Sequence, residues 1–399
     1  MRTETCTLGD IGKVCMCKRV LKEQTSPSEE IPFYKISTFG GKADTFISRK
    51  LYNEYKTKYS YPKKGDVLIS AAGTIGKTVI YNGEDAFFQD SNIVWIDNDE
   101  SMVLNDYLYY YYKTNPWKVT SGSTIQRLYN DNISGAVITF PKSIDVQKQL
   151  ISVLKILDEK IKNNNAISSQ LESLAKTIYD YWFLQFEFPN EDGKPYKSSG
   201  GKMIWNEELK REIPEGWNTT TIGDITINHD SERIPLASKE RSSMQGRIPY
   251  YGATGIMGYV NRAIFKGDYV LLAEDGSVMD ENGYPIIQRI SGETWVNNHA
   301  HVLEPANGYH CRLLMMILKH VPVVLIKTGS IQMKINQENM NKYHVLNIPD
   351  KLKSKANSIF DNIDAELLRI NDETNQLTSL RDFLLPMLMN GQVTFKEDA

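Results

Sequence analysis

The chain has 399 residues, 41% of them apolar and 24% charged; that is enough for two or three folding units with buried cores, and no stretch approaches the roughly 18 consecutive apolar residues of a membrane span. A formal net charge of −3 excludes a protein that coats nucleic acid through uniform basicity, so any such surface must be a local concentration of Lys and Arg. Cys6, Cys15, Cys17 and Cys311 are too few and too scattered for a disulfide framework, and residues 1–10 lack the apolar stretch of a secretory signal, so reduced thiols and a cytoplasmic location are expected, with no membrane association.

Residues 1–142 read as a first globular, mixed α/β unit. Asp66-Val-Leu-Ile-Ser70 and Asn92-Ile-Val-Trp-Ile96 have the short apolar pattern of strands. Between them, Gly73-Thr-Ile-Gly-Lys-Thr78 offers backbone amides, Thr74 and Lys77 to a phosphate, although hairpin turns use the same residues. Ala71 to Thr78 lacks only the first glycine of a Walker A loop, and Ile93 to Asp97 could pass for the strand that follows one. The residues after Lys77 nevertheless read as a strand, so no helix N-terminus would face a nucleotide. Asn115-Pro-Trp117 has part of an amino-methyltransferase signature without its second proline or a glycine-rich cofactor loop, and reads as a helix end. Gly122-Ser-Thr-Ile-Gln-Arg127 then places Ser123, Gln126 and Arg127 beside a glycine that admits close approach. Gln pairs bidentately with adenine, Arg with the O6/N7 edge of guanine, and Ser holds phosphates.

A long helix is predicted over residues 143–187, with Leu150, Leu154, Leu157, Ile161, Leu171, Ile178 and Trp182 on one seam that Asn164 and Ser168 interrupt. Tyr181, Trp182 and Phe183 near its end suit a protein-docking surface. Residues 188–217 are dense in turn formers and read as a linker, ordered or mobile. In that linker Glu191-Asp-Gly-Lys194 has a nuclease-like look but no acidic partner upstream.

Residues 218–349 form a second globular unit. Thr254 lies in a glycine-rich turn; Asn298 and His299 offer a polar edge; Ser330, Gln332 and Lys334 repeat the chemistry of residues 123–127. His299 and His301 are expected on one face of a strand with His310 and Cys311 nearby in sequence, a spacing that matches no standard zinc pattern, and no metal site is assigned. A second long helix is predicted over residues 350–391, with Phe360, Ile363, Leu367, Ile370, Leu377 and Leu384 on its seam, Leu384 available to a partner, and a break at Pro386; residues 392–399 are a tail.

The two halves are related. Thr7-Leu-Gly-Asp-Ile11 returns as Thr221-Ile-Gly-Asp-Ile225, Ile31-Pro-Phe-Tyr34 as Ile248-Pro-Tyr-Tyr251, Lys64-Gly-Asp66 as Lys266-Gly-Asp268, and Gly122 to Gln126 as Gly329-Ser-Ile-Gln332 with one deletion. Two apolar seams of matching register predict an antiparallel coiled-coil pair. The expected architecture is two α/β (α+β) units joined by two long antiparallel helices, with an internal pseudo-twofold repeat.

This organisation resembles the specificity subunits of type I restriction-modification systems across essentially the whole chain. The most specific pieces are Tyr181-Trp-Phe through Asn190-Glu-Asp-Gly-Lys-Pro-Tyr196, Arg211-Glu-Ile-Pro-Glu-Gly-Trp217, and Leu380-Arg-Asp-Phe-Leu-Leu-Pro386 with Gly391-Gln-Val393. The resemblance implies two target recognition domains that read the halves of an interrupted double-stranded DNA target. The helices would fix the gap and bind two modification subunits, with restriction (translocase) subunits as further partners. It also implies no catalytic residue and no cofactor in this chain, S-adenosylmethionine, ATP and Mg belonging to the partners. A type II-like or methylation-only system, a P-loop NTPase using Lys77, and a coiled-coil scaffold without a DNA role are the competing readings.

Overall fold

The computed structural model describes residues 2–117, 127–329 and 333–393. It divides into a first unit, residues 1–163 with 373–399, and a second unit, residues 164–372.

In the first unit the repeated Thr-x-Gly-Asp-Ile motif turns the chain out of its first strand. Thr7 donates from its backbone N–H and its hydroxyl to the Asp10 carboxylate at 2.8 and 2.7 Å. Gly9 comes close to Ser134 there: a Cβ would lie 3.2 Å from that of Ser134, tighter than most such contacts. The strand Thr3–Thr7 pairs antiparallel with Val137–Pro141, the last strand before the long helix. Gly12–Met16, Ile93–Asn98, Val67–Ser70 and Thr78–Ile80 form a four-stranded antiparallel sheet in that order. A second four-stranded sheet contains Ile31–Tyr34, paired in parallel with Phe87–Phe88. The tyrosine-rich helix Asn105–Lys113 packs on the first of these sheets, against Val67–Ser70 and Thr78–Ile80, and ends where Asn115 takes a left-handed φ of 55°.

The second unit repeats these relations. Thr221 caps onto Asp224 in the same way, Gly223 lies against Asn341 as Gly9 does against Ser134, and Asn218–Thr221 pairs antiparallel with His344–Asn347. The parallel pair of Phe33 and Tyr34 with Phe87 and Phe88 recurs as Tyr250 and Tyr251 with Trp295 and Val296. Here it sits inside a six-stranded sheet ordered Thr226–Asn228, Ala300–Pro305, Phe265–Ala273, Ile287–Val296, Gln245–Tyr251, Ile256–Val260. Residues 188–217 pack on this unit: Met203–Asn206 and Arg211–Pro214 form a hairpin, and Phe188 stacks on Tyr196 and Trp217 with ring centroids 4.7 and 4.9 Å apart.

Both long helices are present, Ile144–Tyr179 and Asp350–Met389. Within the first unit, Leu150 and Leu154 share a core with Leu385, Leu388 and Met389. Asp158 pairs with Arg381 at 3.1 Å, and Lys160 pairs with Glu373. Contacts that climb one helix while descending the other make this pair antiparallel. In the second unit Ala175, Tyr179 and Phe183 share a core with Ala356, Phe360, Ile363 and Leu367. Asn164, predicted to interrupt the seam, is buried on it.

Two helix boundaries differ from expectation. The first helix is α-helical only to Tyr179, after which Asp180–Leu184 makes one wider turn closed by the Gln185 N–H on the Asp180 carbonyl at 2.8 Å. The second runs through Pro386 to Met389 instead of breaking. The proline is exposed, so the single carbonyl deprived of its amide donor can be hydrated, and only one turn follows. Among the described residues no helix is long and apolar enough to cross a membrane.

Candidate nucleic-acid interface

Three strand ends meet in each unit through the same backbone hydrogen bonds. In the first unit the Ala71 N–H donates to the Asn92 carbonyl at 2.7 Å, and the Leu128 N–H donates to the Ala71 carbonyl at 2.8 Å. In the second the Glu274 N–H donates to the His299 carbonyl at 2.9 Å, and the Ile335 N–H to the Glu274 carbonyl at 2.8 Å. The Gln89 and Asn297 N–H groups complete the match by donating to the carbonyls of Tyr34 and Tyr251 at 2.9 and 3.0 Å. This pattern makes Asn92 the counterpart of His299 and Arg127 the counterpart of Lys334. Each junction therefore carries a polar turn and a cation, and two residue groups singled out separately in the sequence, Asn298 with His299 and Lys334, come together in one place.

The junctions differ electrostatically. Arg127 donates from Nη2 to the Ser91 carbonyl at 2.7 Å, so its guanidinium is anchored to the turn it flanks. Lys334 pairs with Glu274 at 2.8 Å and is raised above the ordinary lysine range by that hydrogen bond. Glu274 also receives Arg233 at 2.5 Å, while His299 pairs with Asp275 at 2.6 Å. Behind them His301 is buried, with Nδ1 on Asp230 at 2.5 Å and Nε2 on the Ile335 carbonyl at 3.1 Å. Burial alone would raise the carboxyls of Asp230 and Glu274. The Asp230 carboxyl is nevertheless held below its usual range by His301 and Arg233, and the Glu274 carboxyl by Lys334 and Arg233. Asp230, Glu274 and His301 could converge on a metal ion, yet Arg233 and Lys334 already balance the two carboxylates. The cluster fastens the strand end that carries Lys334 and reads as structural. His299 and His301 do not share a face as expected: His299 precedes the strand and is exposed, whereas His301 is 1% exposed in the core.

The other candidates scatter. Thr74 is exposed on the turn between Val67–Ser70 and Thr78–Ile80, and the chain after Lys77 is a strand, without the helix a nucleotide loop requires. Lys77 donates to the Phe39 carbonyl at 2.5 Å, so its ammonium already has a partner and braces a neighbouring loop. Thr254 is exposed at the tip of the hairpin formed by Gln245–Tyr251 and Ile256–Val260. Ser123, Gln126, Ser330 and Gln332 lie outside the described residues. Of the expected docking residues, Tyr181 is exposed, Trp182 and Leu384 are partly buried, and Phe183 must be corrected: it lies at 1% exposure in the second unit's core against Tyr179.

The sequence reading missed Asp90, Ser91 and Asn92. Nothing in their composition resembles Asn297-Asn-His299, and one residue is gained or lost between the halves. Aligning the strands that follow, Ile93–Asn98 and Ala300–Pro305, would have exposed the correspondence.

Comparison with known proteins agrees with this repeated build. The family model described as the type I restriction modification DNA specificity domain matches residues 2–173 and again 214–379. A Haemophilus influenzae protein described as a type I restriction enzyme specificity subunit is 61% identical over 147 residues, a match spanning 37% of this chain and 38% of that protein. The type I restriction enzyme MjaIX specificity subunit of Methanocaldococcus jannaschii is 26% identical over 361 residues, covering 84% of this chain and 79% of the relative. The crystal structure of a type I restriction-modification system S subunit from M. genitalium superposes with a TM-score of 0.62 at 18% identity, covering 98% of this chain and 96% of that one, and so shares the fold. With matches to both halves, the chain belongs to the type I restriction modification DNA specificity domain family.

Proposed function

We propose that this chain is the specificity subunit of a type I restriction-modification complex, in which each unit reads one half of a two-part double-stranded DNA target. The observation that carries this reading is the recurrence of one junction, a polar turn beside a cation held by identical backbone hydrogen bonds, in both units. Two readers of one design suit two half-sites at a defined spacing. Direct reading of bases requires side chains at such strand ends, and holding the backbone requires cations nearby.

Methylation and cleavage then belong to partners, which would bring S-adenosylmethionine, ATP and Mg; this chain supplies no catalytic group. Two modification subunits would dock on the long helices. Exposed apolar side chains at helical spacing support that role: Ile167, Leu174 and Tyr181 in the second unit, and Ile156, Leu380 and Phe383 in the first. Restriction subunits would join through the same assembly, in the cytoplasm. The test is to map adenine methylation in a host that expresses this chain with its modification subunit. An interrupted two-part motif that disappears with the chain is expected; a continuous motif, or none dependent on the chain, overturns the reading.

A further inference from the structure

Beside the first unit's junction lies a groove of about 820 Å³ that no sequence motif announced. Its lining includes Arg19 and Lys22, exposed cations that make no ion pair among the described residues, whereas Lys35, which also lines it, is held by Asp44 at 2.9 Å. It also includes Asp90 and Asn92, both partly buried, neither side chain having a hydrogen-bond partner among the described residues. Between them Ser91 adopts a left-handed φ of 53°, a conformation costing a non-glycine residue about 1 kcal/mol, and Arg127 bonds its carbonyl.

Partly buried polar side chains without a protein partner are left to water, and they can exchange that water for a ligand's polar groups without breaking a bond within the protein. Here they stand on a turn fixed at both ends, by Gln89 on Tyr34 and by Asn92 on Ala71. Gln89 adds a tie by accepting the Ile36 N–H on Oε1 at 3.0 Å. A carboxylate only accepts hydrogen bonds and so selects the exocyclic amine of cytosine or adenine, while an amide that both donates and accepts matches the edge of adenine. Arg19 and Lys22, lining the same groove, have the charge and freedom to meet phosphates.

We infer that Asp90 and Asn92 are the specificity-determining residues of the first half, reading base edges, and that Arg19 and Lys22 hold the phosphate backbone alongside them. This rests on the reading of the chain as a DNA-specificity subunit, and it assigns the groove a division of labour that the family match does not.

The test uses the full chain in complex with its modification subunit and binding to duplexes that vary one position at a time, at several salt concentrations. Asp90→Asn and Asn92→Ala should each reduce discrimination at one or two positions of one half-site by about tenfold or more, leaving the other half-site and the salt slope unchanged. Arg19→Ala and Lys22→Ala should weaken binding evenly over all sequences, each lowering the salt slope by about 1. If the wild-type complex shows no two-part selectivity, the underlying reading fails. If the wild type is selective and the Asp90 and Asn92 variants match it within about twofold, this assignment fails. Loss of selectivity at both half-sites together also counts against it, because a base reader acts only where it touches. The conservative Asn92→Gln variant guards against misfolding: it should change which bases are preferred while the second half-site is still read.

Discussion

His229 is clamped between two carboxylates, Glu232 on Nδ1 and Glu304 on Nε2, both at 2.7 Å, with Tyr269 packed edge-on against its ring. Burial alone would lower its affinity for a proton, but the two carboxylates outweigh that and raise its pKa above the ordinary 6.5. A group whose folded pKa is raised contributes stability that is fully present below the unfolded pKa and is lost as pH rises through the folded value. The chain should therefore melt lower at pH 8.5 than at pH 6, and His229→Asn should remove most of that difference. Calorimetry at the two pH values reads the difference as a shift in melting temperature. A melting point in the variant that still falls just as steeply over this range would show that the clamp does not matter. Lys77 gives a second prediction at this scale. Because its ammonium bonds the Phe39 carbonyl, Lys77→Met should cost about 1 kcal/mol of stability and leave the salt dependence of DNA binding unchanged; a slope reduced by about 1 would restore it as a phosphate contact. The sequence could not separate these roles, since the partner lies 38 residues away in a loop that no local pattern connects to it.

At the scale of elements, the second long helix is bolted to its unit by Asp364. Its carboxylate takes Arg289 from the strand Ile287–Val296 at 2.9 Å and Arg312 from the helix Cys311–Leu318 at 2.8 Å, and all three side chains are nearly excluded from water. Removing Asp364 would leave Arg289 only the largely exposed Asp268 at 2.8 Å and Arg312 only Glu172 at 3.7 Å among the described carboxylates. Asp364→Ala should destabilise the second unit by about 3–5 kcal/mol, more than a Leu→Ala change on the exposed flank, and Asp364→Asn by less because it keeps an acceptor. Denaturant unfolding measures this, and a loss below about 1 kcal/mol would mean that Asp268 and Glu172 suffice for the two guanidiniums. The apolar seam was legible because Leu150, Leu154, Phe360 and Ile363 repeat at the spacing a helix imposes, and the core holds them. Asp364 was not. In sequence it looks like Asp361, which is half exposed and pairs with His310; what separates them is which face of the helix meets the two arginines, a fact of tertiary packing.

At the scale of the whole molecule, duplication was the strongest signal in the sequence, and it survives where geometry is strict: Gly9 and Gly223 at close approaches, Thr7 and Thr221 capping their aspartates. It fades where recognition would vary, at Asp90 to Asn92 against Asn298 and His299, and there only hydrogen-bond register shows the equivalence. If each half reads its own half-site, replacing residues 2–142 with the corresponding segment of another family member should change one half of the methylated motif and leave the other intact; a change in both halves would refute independent reading. The helices allow a sharper test. A seven-residue insertion between Ile151 and Thr177, matched by seven residues in the facing stretch of the second helix, preserves the seam register and adds roughly 10 Å at 1.5 Å per residue. That is about three base pairs at 3.4 Å each, so the preferred gap should grow by about three. The same three base pairs also rotate the duplex by about 100°, at 10–10.5 base pairs per turn, whereas seven residues return a helix nearly to its starting face. Binding at the new optimum should accordingly be weaker than wild type at its own gap. A gap preference that does not move, in a complex that still methylates, would show that the spacing is set somewhere other than in these helices.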